Sequence, residues 1–247
     1  MNATLRSAVA ALALAALGGG VQAQDAAARA SNPADPLEGW NRAVFSFNDA
    51  VDSAVLQPVA RGYKAVVPEP LRAGVTNFFA NIGDVWSAVN NALQGKGEAA
   101  ATSVARVATN TLFGIGGVFD VASDLGMERR SEDFGQTLGR WGLPPGPYLV
   151  LPLLGPSSVR DTAGLALDMQ AGVGALTDDR RAANSLRALN IVDTRTNLLG
   201  ASRVLDDVAL DKYSFLRDAY LARRRSLVHD GDPPPLPEDR DEPPPAR

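Results

Sequence analysis

The chain has 247 residues, with 24 Lys and Arg against 28 Asp and Glu, a net charge of -4 and no cysteine. The missing cysteines exclude disulfides, thiol nucleophiles, thiolate metal sites and any lipid hung on an acylated cysteine, and the acidic balance argues against nucleic acid as a partner. Aromatic residues are only 6% of the chain while alanine is abundant, which favours helices over a β-sandwich.

At the start, Arg6 precedes an apolar run from Ala8 to Leu17 and then Val21-Gln22-Ala23. This pattern predicts a cleavable signal over residues 1–23, cut between Ala23 and Gln24, because the run is too short to span a bilayer and small residues follow it. Without Arg6, 23 basic residues face 28 acidic ones for a net charge of -5, and about 225 residues remain, enough for one domain with a core. Residues 24–34 lack periodicity and are expected to be a flexible lead.

Helix signals begin at Asp35-Pro36-Leu37-Glu38, which offers a capping carboxylate, a first-turn proline and an acidic residue that can reach back to the cap. Leu37, Trp40, Val44, Phe47, Val51 and Val55 follow on one face, and Phe45 sits among the charges opposite. Pro58 is expected to end this helix. Pro68-Glu69-Pro70 opens a second, striped by Leu71, Val75, Phe78, Phe79 and Ile82; Asp84 is expected to cap a third, closed by Gly95; and a fourth runs from about Gly97 to Phe113.

The middle differs in kind. Val107 to Phe119 carries no charge, and neither do the 19 residues between Arg140 and Arg160, a run that holds five prolines. Prolines forbid a spanning helix here, and Leu149-Val150-Leu151 is expected to be a short extended piece, half of a small hairpin. Ser158 with Asp161 predicts another capped helix to about Met169, and further helices are expected over 182–199 and 213–228. Beyond His229, residues 230–247 contain seven prolines and several acids and are expected to be disordered.

Catalytic machinery is not evident. His229 is the one histidine, so Ser-His-Asp and Cys-His arrangements and histidine zinc sites lack their parts, and neither a G-x-S-x-G elbow nor a phosphate-binding P-loop occurs. Gly114, Gly116 and Gly117 have the wrong spacing for a dinucleotide fingerprint, and Asp178-Asp179 and Asp206-Asp207 fit caps and solvated faces better than metal ligands. No enzyme activity, cofactor or metal is expected. Amphipathic stripes ordinarily form a bundle core, but apolar Gly- and Pro-rich connections are unlike the polar loops of a soluble domain and point to a membrane surface.

The ordered segments Asp35 to Arg42, Phe47-Asn48, Pro58-Val59-Ala60, Asn77-Phe78, Leu93-Gln94-Gly95, Asn110-Thr111, Gly114 to Gly117, Asp120-Val121-Ala122, Phe134-Gly135, Gly146-Pro147-Tyr148, Leu151-Pro152 and Arg160-Asp161 resemble the MlaA/VacJ family of outer-membrane phospholipid-removal proteins. Thr194-Arg195, Tyr213, Arg217 and Ala219-Tyr220 extend the likeness, so it covers nearly all of residues 35–229.

The resemblance implies an all-α fold: a ring of amphipathic helices around a polar channel, with a small Gly/Pro-rich hairpin-like insert. It implies a seat in the periplasmic leaflet of the outer-membrane bilayer, glycerophospholipids as cargo, trimeric porins as docking partners and a periplasmic lipid carrier as acceptor. Family members often carry a lipidated cysteine after the signal; this chain has none, so anchoring is expected from apolar surface and partners. Within that frame, Leu112 to Val121 and Leu143 to Leu154 are expected to be the embedded and gate-like parts. The lipid path or gate is assigned to Phe45, Phe47, Asn48, Leu112, Phe113, Gly116, Gly117, Phe119, Tyr148 and Leu151, with the Trp40, Val44, Phe47 face pressed into the ring. The competing reading is a periplasmic helical scaffold that binds a porin or envelope protein without moving lipid.

Overall fold

The structure, a computed structural model, describes residues 32–172 and 176–235; the expected cut between Ala23 and Gln24 and most of the lead and tail lie outside the described residues. Of the described residues, 32–36 belong to a separate unit from those that follow. There the Asp35 N–H closes a turn on the Asn32 carbonyl at 2.8 Å.

From Leu37 onward the chain is mainly helical. It comprises α1 (Glu38–Val51), a π-helical turn (Asp52–Leu56), α2 (Gln57–Val66), α3 (Glu69–Leu93), α4 (Gly97–Leu112), the single turn α5 (Val121–Asp124) and α6 (Phe134–Arg140). After the strands β1 (Tyr148–Leu151) and β2 (Gly155–Ser158) come α7 (Val159–Ala171), α8 (Arg180–Val208) and α9 (Lys212–Val228). The strands pair antiparallel, Tyr148 opposite Ser158 and Leu151 opposite Gly155, so the expected extended piece is one arm of a hairpin in an otherwise all-α fold. Among the described residues, no helix is long and apolar enough to cross a membrane.

Several boundaries differ from expectation for identifiable reasons. Pro58 does not end the first helix: the Gln57 N–H donates five residues back to the Asp52 carbonyl, and this wider π turn lets the chain continue with Pro58 in the first turn of α2. Asp84 caps nothing, because α3 runs unbroken through it and its carboxylate is taken by arginines instead of backbone amides. The first cap position falls on Leu37, whose side chain has nothing to donate or accept. Ser158 caps α7 as expected, and Asp120, Asp133, Asp179 and Asp211 cap α5, α6, α8 and α9.

The sharpest departure is in polarity. Of the predicted core stripe of α1 only Val44 is buried, whereas Leu37, Trp40, Phe47 and Val55 are exposed and Phe45, the residue out of pattern, packs on the core. In α3 and α4 the buried residues at helical spacing are polar: Asn81, Asp84, Ser87 and Asn91 on one helix, Ser103, Arg106 and Asn110 on the other. Among the described residues, 20 buried side chains are polar or charged and 12 are apolar, while 30 large apolar side chains are exposed. That is the reverse of a soluble domain.

Among the described residues a small apolar core is formed by Val44, Tyr148, Val150 and Tyr213 with Phe45, Tyr220 and Leu221 against it. Fully buried Asn41 locks the hairpin to α1 there: its Nδ2 donates to the Tyr148 carbonyl at 3.0 Å, and its Oδ1 accepts from the Val150 N–H at 2.8 Å. Asn41→Ala leaves both backbone groups buried and unpaired, and should lower stability by about 3 kcal/mol. Thermal unfolding in detergent followed by circular dichroism checks this; an unchanged midpoint would show that the hairpin is held elsewhere.

Candidate functional site

The polar interior is organised around Arg106, whose side chain has no exposure to water. Helix α4 aims it at α3, where its Nε donates to Asp84 Oδ2 at 3.1 Å. Its Nη2 donates to both oxygens of Asp120 at 2.8 and 3.1 Å, and its Nη1 donates to Ser123 and to the Met127 carbonyl. Arg129 closes the circuit, lying 3.1 Å from Asp84 and 3.4 Å from Asp120. Two cations and two anions therefore alternate. Asn110 donates to Asp120 at 2.9 Å and accepts from the Ala122 N–H at 2.8 Å. Burial opposes the charge on Asp120, but hydrogen bonds from Ser123 and Asn110 and the Arg106 guanidinium together hold its pKa down to about 2.

A second network joins α6, α7 and α9. Arg224 donates to Asp133 and to Asp161, each at 2.9 Å, and the Tyr220 hydroxyl donates to the other Asp161 oxygen at 2.7 Å. Burial works against both carboxylates, yet these partners keep each below the usual carboxylate range. Asp168 goes the other way. Burial raises it despite hydrogen bonds from Trp86 Nε1 at 2.6 Å and the Phe134 N–H at 2.9 Å, and nearby Asp133 adds repulsion.

Three clefts abut these networks. One of about 720 Å³ lies between the start of α4, the segment 128–132 and the end of α9. Its neighbour, about 440 Å³, shares Arg129, Ser131 and Glu132 with it and is also lined by Phe79, Ile82 and Trp86. A third, about 160 Å³, sits between hairpin, α7 and α9 beside Tyr220 and Arg224, and Asp168 lines both the second and the third.

The MlaA lipoprotein family pattern matches residues 33–227. The chain belongs to the MlaA family. The intermembrane phospholipid transport system lipoprotein MlaA of Escherichia coli is 34% identical over 204 residues, 80% of each chain, and its Haemophilus influenzae counterpart is 31% identical over 210 residues, again 80% of each. An uncharacterized protein of Rickettsia typhi is 44% identical over 127 residues, so the chain spans about half (51%) of that relative. A solved structure described as the structural basis for maintenance of bacterial outer membrane lipid asymmetry superposes with a TM-score of 0.69 at 34% identity, covering 78% of this chain and 98% of the other.

In this MlaA chain the expected path residues fall into distinct groups. Phe45 and Tyr148 belong to the apolar core, where Phe45 meets Tyr213 edge-on at 5.7 Å. Asn48 pins the hairpin turn, donating to the Leu151 carbonyl at 2.9 Å and accepting from the Leu153 N–H at 2.7 Å, and Leu151 lines the smallest of the three clefts. Leu112 ends α4 and Phe113 begins the outward-facing apolar loop that holds Ile115, the two latter 73% and 72% exposed, and Phe47 is half-exposed on α1. Gly116 and Gly117 carry this loop through positive φ, and a Cβ at Gly117 would come within 2.7 Å of Asn81. Phe119 lines an apolar groove of about 310 Å³ with Phe78, Val118 and Leu186. The ionic networks were missed by sequence reasoning, although polar residues at helical spacing in α3 and α4 were a usable signal.

The two carboxylate environments make opposite predictions. Asp120 has a folded-state pKa of about 2, below its ordinary 3.8, so its stabilisation is present above pH 3.8 and is lost as pH falls toward 2. Asp120→Asn should cost about 1 kcal/mol at pH 7 after solvent screening and flatten the acid limb of the stability curve. Asp168 is raised, so its contribution is complete below 3.8 and is lost as pH rises; Asp168→Asn keeps an acceptor oxygen and should leave stability at pH 7 unchanged or higher. Urea unfolding at pH 7 and pH 3 separates them, and equal destabilisation by both at pH 7 would contradict this assignment.

Proposed function

We propose that this protein removes misplaced phospholipids from the outer leaflet of the outer membrane and passes them to a periplasmic carrier, maintaining lipid asymmetry. The observation that carries this reading is the inverted polarity: exposed apolar side chains on helix faces and loops, and ion pairs and amides within. An acyl methylene moved into water costs ~0.8 kcal/mol, so a 16-carbon chain costs roughly 12 kcal/mol unless it keeps apolar contact, while the headgroup needs water or polar groups. A helical body that meets acyl chains on the outside and encloses polar groups serves both demands, and irregular backbone at membrane depth is tolerated where it lines such a cavity. The helices then form a ring in the periplasmic leaflet around a hydrated path, held by apolar loops such as 112–119. Trimeric porins are the docking partners and a periplasmic lipid-binding protein the acceptor. Movement along such a path needs no covalent step, and the partners set its direction.

Deleting the gene should raise outer-leaflet phospholipid, and a wild-type copy should restore it. Phe113→Asp with Ile115→Asp should fold normally, because both side chains face outward, but should loosen membrane association and fail to complement. Salt and detergent fractionation with outer-leaflet lipid analysis tests this. A freely soluble protein whose loss leaves asymmetry intact would instead support the scaffold reading.

A further inference from the structure

We propose that the 720 Å³ cleft is a headgroup seat for a zwitterionic ligand that carries a phosphodiester and a primary ammonium, as phosphoethanolamine does. The inference rests on the lipid-removal reading above and specifies which headgroup that path favours. It begins with a helix end that lacks a cap. Lys96 at the cap position of α4 makes no side-chain cap bond, and among the described residues no acceptor takes the N–H groups of Gly97, Glu98 or Ala99, which line the cleft. Three free amides at the start of a 16-residue helix favour a phosphate oxygen.

The cations of the cleft differ in availability. Lys96 is committed to Glu132 at 3.0 Å and to Asp230, and Arg129 to Asp84 and Asp120. Among the described residues the Arg130 side chain is held only by Glu128 at 3.7 Å, with both side chains open to water, so its guanidinium can turn to a phosphate. An anion alone would nevertheless be poorly served, because the lining holds four carboxylates against three cations. Glu98 sits in the very turn whose amides would hold the phosphate. A ligand with its ammonium two carbons from its phosphate turns that repulsion into attraction.

The floor supplies an independent sign. Asn91 is fully buried and lines the cleft; its Nδ2 donates to the Ser87 and Arg130 carbonyls at 2.9 and 3.2 Å, but its Oδ1 has no donor among the described residues. A buried carbonyl oxygen without a donor costs free energy, and an ammonium N–H entering the cleft is the kind of group that relieves it. The wall formed by Arg129, Ser131 and Glu132 is shared with the neighbouring cleft, where Phe79, Ile82 and Trp86 offer apolar surface for the rest of a lipid.

The test uses the full chain in detergent and native mass spectrometry with three probes: dihexanoyl phosphatidylethanolamine, dihexanoyl phosphatidylglycerol and water-soluble glycerophosphoethanolamine. The wild type should prefer the ethanolamine lipid to the glycerol lipid by about fivefold, the scale expected from two exposed ion pairs. E98Q with E128Q should abolish the preference without weakening the glycerol lipid, and R130Q should weaken both. Equal affinities in the wild type, or a preference untouched by E98Q with E128Q, would overturn the headgroup seat while leaving phospholipid binding, and the lipid-removal reading, in place. Binding of neither lipid would overturn both. Glycerophosphoethanolamine binding as tightly as its lipid would assign the cleft to a soluble headgroup and overturn its place on a lipid path.

Discussion

A guanidinium sealed from water must find its counter-charges within the protein, and Arg106 dictates where four segments go. It draws Asp84 from the middle of α3, Asp120 and Ser123 from α5 and the Met127 carbonyl from the following segment onto one face of α4. Removing Arg106 or Asp84, the two members out of reach of water, would strand an uncompensated charge, which is why such a pair is far more costly to break than it is stabilising to have. Its contribution is specificity. A slipped α3–α4 register would carry Asp84 out of reach of Arg106 and break this circuit.

The same constraint explains the composition of the interior. With amides and ion pairs buried in α3 and α4, apolar side chains are left for the exterior, where they are tolerable only against something other than bulk water. The clasps at the other end follow suit: Arg195 grips Asp52 at 2.6 and 2.8 Å, fastening α8 to the π turn, and Thr76 donates to Asp193 at 2.7 Å to fasten α8 to α3. Helices whose apolar faces are turned outward have to be joined by directional bonds, and each bond here is made by a side chain that needs one particular helix register.

This is also why the sequence was legible in part. Periodicity located helices well, since it depends on backbone geometry alone, and Ser158 announced α7 through its cap. Which face points inward is a different matter, because the period is the same whether water or hydrocarbon lies outside. Hence the α1 stripe was assigned inward when only Val44 goes there, and Phe45 was set aside although it joins the core. Pro58 and Asp84 misled for a related reason. Local rules fix their preferred roles, but a π turn and two distant arginines decided the outcome. The expected path residues share no single location, for Tyr148 is core, Asn48 is a tether and Phe113 is outer surface.

The hairpin shows how such a body keeps a loop both placed and free. Asn41 and Asn48 lie seven residues apart, two turns along α1 and therefore on one face, and each grips backbone groups of the segment 148–153 instead of its side chains. Register is fixed at two points by amide-to-backbone bonds that are indifferent to side-chain identity. The side chains of Leu153, whose N–H is part of the second tether, and of Leu154 just beyond it are more than half exposed and take no part in fixing the register. A segment held in this way can carry apolar residues outward without losing its position, whereas a hairpin held by its own core would have to spend them inside.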